Sequence, residues 1–264
     1  MYKMNKIENV IEQYQNDENL SIRIQLHSKY STNKQGWYPW LFEQYEFANG
    51  YRILELGCGN GDQWQDRIDK LPAHCTLVLS DFSEGMINKV WEKYSCHKNL
   101  LSQKIDIQNI PFPDQCFDAV IANHMLYHVP DLSKAISEVH RVLRSGGKFY
   151  AATNGNGGMR TYLHNARKLI DSGTPALSDG FSFSLQNGAE LLSKYFGDVK
   201  SCLYGDSLHI TETQDLIDWM KSAATISNYS ECDFEKLYDY FENIRIKQGA
   251  IEVPKELGLF ISTK

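Results

Sequence analysis

The residues best suited to chemistry stand at Ile53-Leu-Glu-Leu-Gly-Cys-Gly-Asn-Gly61, where an apolar run carrying one carboxylate, Glu55, leads into three glycines at alternate positions. Glycine tolerates positive φ and lets the backbone approach a ligand closely, and open α/β sheets bind their ligands at the C-terminal ends of strands. The same glycines would also suit a plain tight turn between a strand and a helix. A second carboxylate, Asp81, ends the next apolar run, 20 residues beyond Gly61, in Leu77-Val-Leu-Ser-Asp-Phe-Ser-Glu-Gly-Met86. An acid at that spacing can accept hydrogen bonds from both hydroxyls of a ribose, so loop and acid together imply an adenosine-type ligand. Taken alone, Asp81 would equally serve as the N-cap of a helix beginning near Ser83.

The acids around the loop narrow the ligand. A dinucleotide fingerprint needs a third small residue where this chain has Asp62. A carboxylate there would repel a pyrophosphate, whereas a ligand carrying an ammonium and a sulfonium would tolerate both it and Glu55.

Beyond the fourth apolar run, Asn123-His-Met-Leu-Tyr-His128 offers His124, Tyr127 and His128. A histidine titrating near neutrality can take a proton from an ammonium or hydroxyl nucleophile, and His128 is the better placed. Either histidine could instead be a hydrogen-bonded residue that shapes a pocket. Their i, i+4 spacing does not make a zinc motif, because Met125 stands where the catalytic glutamate would be. The six cysteines form no CxxC pair. No metal site is expected.

The elements that must position these residues alternate. Apolar runs at Arg52-Leu56, Thr76-Ser80, Leu101-Ile105, Ala119-Ala122 and Gly147-Ala152 are separated mostly by amphipathic stretches, the pattern of a parallel sheet covered by helices. Residues 1–49 read as a helical lid that includes Ser28-Lys-Tyr-Ser-Thr-Asn-Lys-Gln-Gly-Trp37, and 50–155 as the ligand-binding core. Residues 156–198 and 211–256 read as a helical cap, with Phe234, Leu237, Tyr238, Phe241 and Ile244 at helical spacing. Val199-Ile210 and Leu257-Ser262 are predicted as two further strands.

Over residues 50 to 153 the chain resembles the small-molecule branch of the class I S-adenosylmethionine-dependent methyltransferases. The resemblance rests on Glu55-Leu-Gly-Cys-Gly-Asn-Gly61, Asp81-Phe-Ser-Glu-Gly-Met86, Asp106-Ile-Gln-Asn-Ile-Pro-Phe-Pro113, Phe117-Asp-Ala-Val-Ile-Ala-Asn123 and Arg144-Ser-Gly-Gly-Lys-Phe149, in that order. It implies a single α/β domain: a Rossmann-like, doubly wound, seven-stranded and mostly parallel sheet with a helical cap and an N-terminal lid. It implies S-adenosyl-L-methionine as cofactor. Gly57, Cys58, Gly59 and Gly61 would hold its methionine part, with Glu55 near the amino group and Asp81 on the ribose hydroxyls. Phe82 and Met86 would flank the adenine, Asp106 and Ile107 would receive its amino edge, and Asn123 would line the pocket floor. Tyr30 would close the pocket and, with His128, act on the acceptor.

Net charge bounds the acceptor. At −6 over 264 residues, with no dense Lys/Arg cluster, the surface repels phosphate backbones, which favours a small molecule over nucleic acid. The segment Asn123-His-Met-Leu lacks the Asn-Pro-Pro-Tyr type motif of enzymes that methylate planar amide or base nitrogens. MYKMNKIENV has no apolar targeting run, and no span of about 18 apolar residues occurs, so a cytoplasmic protein is expected. An RNA methyltransferase and a non-catalytic cofactor-binding protein are the rival readings.

Overall fold

The structure, a computed structural model, describes residues 17–177, 180–222 and 229–264. The N-terminal decapeptide lies outside them. The described residues fall into two compact units, one within Trp37–Asn154, Ser182–Tyr204 and Gly258–Lys264, the other within Met1–Gly36, Gly155–Phe181 and Gly205–Leu257.

The first unit is built on a sheet. In chain order it holds α2 (Trp37–Gln44), β1 (Arg52–Leu56), β2 (Thr76–Asp81), α3 (Glu84–Tyr94), β3 (Leu100–Lys104), β4 (Phe117–Asn123), α4 (Leu132–Val142), β5 (Leu143–Asn154), α6 (Gly188–Ser193), β6 (Asp198–Tyr204) and β9 (Leu257–Thr263). Its seven strands lie in the order β3-β2-β1-β4-β5-β9-β6. The ladders β3·β2, β2·β1, β1·β4 and β4·β5 are parallel. This is the expected Rossmann-like sheet, and β1 shows why its strands read as unbroken apolar runs: Ile53, Leu54 and Leu56 are all buried, on both faces. The order reverses beside β1, so the ends of β1 and β4 open the crevice in which such sheets bind ligands.

Helix starts follow local chemistry. Ser83 caps α3, its side chain accepting from Met86 N, and Asp131 caps α4, accepting from Lys134 N at 2.9 Å. The α4 residues Ala135, Ile136, Val139 and Val142 then recur at helical spacing and are buried.

The second unit contains α1 (Asp17–Tyr30), α5 (Met159–Ile170), β7 (Ser207–Ile210), α7 (Thr213–Ser222), α8 (Glu231–Gln248) and β8 (Ile251–Pro254). Its core gathers Leu26, Leu163, Leu208, Ile217, Leu237 and Phe241. The run Val199–Ile210, read as one strand, is two. Gly205-Asp206 breaks it, and β7 pairs antiparallel with β8, a strand within the region 211–256 expected to be helical cap. Asp206 explains the break: its carboxylate accepts from Asn33 N at 3.0 Å and Ser31 Oγ at 2.7 Å and pairs with Lys255 Nζ, while Ser31 bridges to Leu208. Residues 31–33, predicted as part of a lid, are fastened there to the β7-β8 ribbon.

Candidate functional site

At the end of β1, Gly57, Gly59 and Gly61 take φ values of 72°, 57° and 77°, all in the left-handed region. A Cβ on Gly57 would lie 2.8 Å from Met125 Cγ, so close packing as well as conformation demands glycine there. One on Gly59 would meet nothing within 4 Å. The loop is tied to β2: Cys58 N donates to Ser80 O at 2.9 Å, and Gly59 N donates to Asp81 Oδ2 at 2.9 Å. Asp81 Oδ1 accepts from Ser83 N at 2.8 Å. The N-cap of α3 is Ser83, so Asp81 is not the cap. A carboxylate offers about four lone-pair sites, and these bonds leave room for hydroxyl donors. Burial raises the Asp81 pKa, against the backbone N–H groups of Ser83, Gly59 and Phe82 that stabilise its charge.

Glu55 is buried inside β1, and Trp64 Nε1, from the turn Asp62–Trp64, donates to its Oε2. Burial drives its pKa up to about 7, only partly offset by the Trp64 hydrogen bond, and the charge of Asp81 adds to the rise. Asp62 pairs with Lys93 Nζ at 2.5 Å and accepts from Asn60 Nδ2 at 3.0 Å. Its charge is therefore largely answered within the protein.

A buried polar network lies beside Glu55. Asn123 Nδ2 donates to Gln63 Oε1 at 2.6 Å and to the Tyr45 hydroxyl at 2.8 Å, and Gln63 Nε2 donates to the same hydroxyl at 3.0 Å. Asn123 Oδ1 is buried with no hydrogen-bond partner among the described residues. Burial, then the charge of Glu55, pushes the Tyr45 pKa well up. Tyr45, Gln63 and Trp64 escape sequence reasoning because no motif or period links them to Glu55 or Asn123; only the fold does.

The remaining predicted residues fall as follows. Phe82 presents an exposed ring after β2, and Met86 is buried on α3. Asp106 Oδ1 accepts from Gln108 N at 2.9 Å, closing a turn that contains the buried Ile107. His124 follows β4 with φ 54°, its N–H donating to Ala152 O and its ring 5.1 Å from that of Trp37, which packs on Trp40 and Tyr204. His128 ends the short turn Leu126–His128, with its ring 4.6 Å from that of Tyr127. Tyr30 belongs to the other unit, where its buried hydroxyl donates to Asp215 Oδ2 at 2.6 Å. Burial and Asp215 raise its pKa. Among the described residues, no group of three or more His, Cys, Asp or Glu side chains is arranged to hold a metal ion.

Residues 54–151 match the model of the methyltransferase domain. The chain is 35% identical over 101 residues to the sterol 24-C-methyltransferase ERG6B of Gibberella zeae, covering 38% of this chain and 27% of that protein. It is 30% identical over 115 residues to the ubiquinone/menaquinone biosynthesis C-methyltransferase UbiE of Geotalea uraniireducens, covering 42% of this chain and 49% of that one. The chain thus spans at most about half the length of these relatives. In fold it is similar to phosphoethanolamine N-methyltransferase 2 of Haemonchus contortus, solved with phosphomonomethylethanolamine and S-adenosylhomocysteine, at TM-score 0.61 and 15% identity over 100% of this chain and 60% of that one. The matched motifs, the strand order and the glycine loop agree: residues 54–151 match a methyltransferase domain, and the sheet that carries them has the Rossmann-like fold.

Proposed function

We propose that this chain is an enzyme that transfers a methyl group from S-adenosyl-L-methionine to a small-molecule acceptor. The observation that carries the reading is the clasp between the two motifs: a left-handed glycine loop at the end of β1, held through Gly59 N by a carboxylate, Asp81, that keeps acceptor capacity at the end of β2.

These residues fit the cofactor by donor and acceptor type. Asp81 accepts from ribose hydroxyls, Glu55 faces the ammonium, and Gly57, Cys58, Gly59 and Gly61 admit the chain between them. Phe82 and Met86 offer apolar surface to the adenine, Asp106 and Ile107 its polar edge, and Asn123 the floor. When bound, S-adenosyl-L-methionine supplies an electrophilic methyl group on a positively charged sulfur. The protein's part is to hold the nucleophile in line and exclude water. His128, following β4, takes a proton from an acceptor that must lose one. Tyr30 enters the proposal through the resemblance alone, and its hydroxyl proton is already engaged by Asp215.

The net charge of −6 supports a small acceptor over nucleic acid. Six free cysteines support a cytoplasmic setting. Among the described residues, no helix is long and apolar enough to cross a membrane. Calorimetry with S-adenosylhomocysteine and NAD tests the cofactor assignment, with binding expected for the first alone. A screen of small amines, phenols and carboxylates for S-adenosylhomocysteine release then tests turnover.

A further inference from the structure

We infer that Tyr45 and Gln63 are positioning residues that lock the Asn123 amide with its oxygen free, making the floor of the site a receptor for a cationic N–H donor, the ammonium of the cofactor's amino-acid end. The inference rests on the proposed cofactor and adds two residues that none of the motifs contains.

The amide orientations follow from the distances. Reversing Asn123 alone would set its oxygen against Gln63 Oε1 at 2.6 Å, and reversing Gln63 alone would set two NH₂ groups face to face at the same distance. Reversing both would leave the single proton of Tyr45 facing two carbonyl oxygens, at 2.8 and 3.0 Å. Only the observed arrangement avoids a like-against-like contact, and it consumes both protons of the Asn123 amide.

What remains of Asn123 is Oδ1, buried with no partner among the described residues. An acceptor left so is costly, and only a donor relieves it. The second acceptor nearby is Glu55, which pairs in register with Ile121, two residues before Asn123 on the adjacent strand. A carbonyl oxygen with the Glu55 carboxyl group on the neighbouring strand selects a positive group that carries N–H bonds over an anion or a neutral acceptor, and such a group would in turn favour the ionised form of Glu55.

The test compares affinities for S-adenosylhomocysteine and its analogue lacking the α-amino group, by calorimetry, in the wild type, Gln63→Met and Tyr45→Phe. The wild type should prefer the amino compound. In Gln63→Met the preference should shrink about tenfold, because the freed amide can turn its NH₂ inward, while affinity for the deaminated analogue stays unchanged. Tyr45→Phe, which removes one hydroxyl, should shrink it in the same sense. A purely structural role would weaken both ligands equally in both variants, and that result overturns the inference alone. Failure of the wild type to bind S-adenosylhomocysteine overturns the cofactor assignment together with it.

Discussion

The indole of Trp64 donates its only N–H to the carboxyl group of Glu55, joining two buried residues nine positions apart. A carboxyl group that burial lifts from 4.5 to about 7 binds its proton more tightly folded than unfolded. Stability is therefore complete below about pH 4.5 and declines as pH rises toward 7, by on the order of 3 kcal/mol. Urea unfolding of the ligand-free protein at pH 5, 6, 7 and 8 should show this decline, and Glu55→Gln should flatten it, leaving the slope that the raised Asp81 carboxyl contributes in the same sense. An unchanged pH slope in that variant would show that other groups produce it.

Asp81→Ala should weaken S-adenosylhomocysteine binding by about 1.5–3 kcal/mol while leaving the protein folded, because the carboxylate meets the ligand and also holds Gly59. Calorimetry and thermal melting separate the two effects. Unchanged affinity in a folded variant would reduce Asp81 to a loop anchor.

Gly59→Ala should cost roughly 1–2 kcal/mol, the penalty of a left-handed backbone without a clash. Gly57→Ala should cost more, since its Cβ would collide with Met125, and Met125→Ala should recover part of that excess. A double-mutant cycle in urea measures the coupling. Additive losses would contradict the packing account.

His128→Ala should lower kcat by about 10²–10⁴-fold if the residue is the general base, with no change in cofactor affinity. Steady-state kinetics on any acceptor found in the screen decides this. An effect confined to KM would mean that His128 only shapes the pocket.

Asp206→Ala should destabilise the second unit by about 3–5 kcal/mol, because it leaves Lys255 buried without its partner. Burial alone would raise the Asp206 pKa, but Lys255, Asn33 N–H and Ser31 outweigh it and hold the carboxyl below its ordinary value. Its contribution is therefore present at neutral pH and lost in acid. Hydrogen exchange at the Asn33 amide should accelerate in the variant. Protection equal to wild type would show that residues 31–33 are held by other contacts.

How far such a site can be read from sequence depends on the range of the forces that build it. β1 to β5 are legible because a strand buried on both faces must be a short apolar run, and Gly57, Gly59 and Gly61 because few other residues tolerate their backbone. β7 and β8 are not: four residues each, they read as the tail of β6 and as part of a helical region. They pair with each other across about forty residues, and Asp206 beside β7 meets Ser31 and Asn33 more than 170 positions away. The links from Trp64 to Glu55 and from Gln63 to Asn123 are equally invisible, since side chains that meet between a turn and a strand leave no periodic trace.

The position of β9 also bears on how the chain acquires its shape. This strand, Leu257–Thr263, lies between β5 and β6, and the backbone of Lys264 closes on Gly146 and Gly147. During translation β1 to β5 leave the ribosome early, yet the sheet stays split until residues more than a hundred positions later have been made. Until then β5 and β6 carry unpaired edges on a nascent polypeptide, the kind of exposure that invites edge-to-edge aggregation.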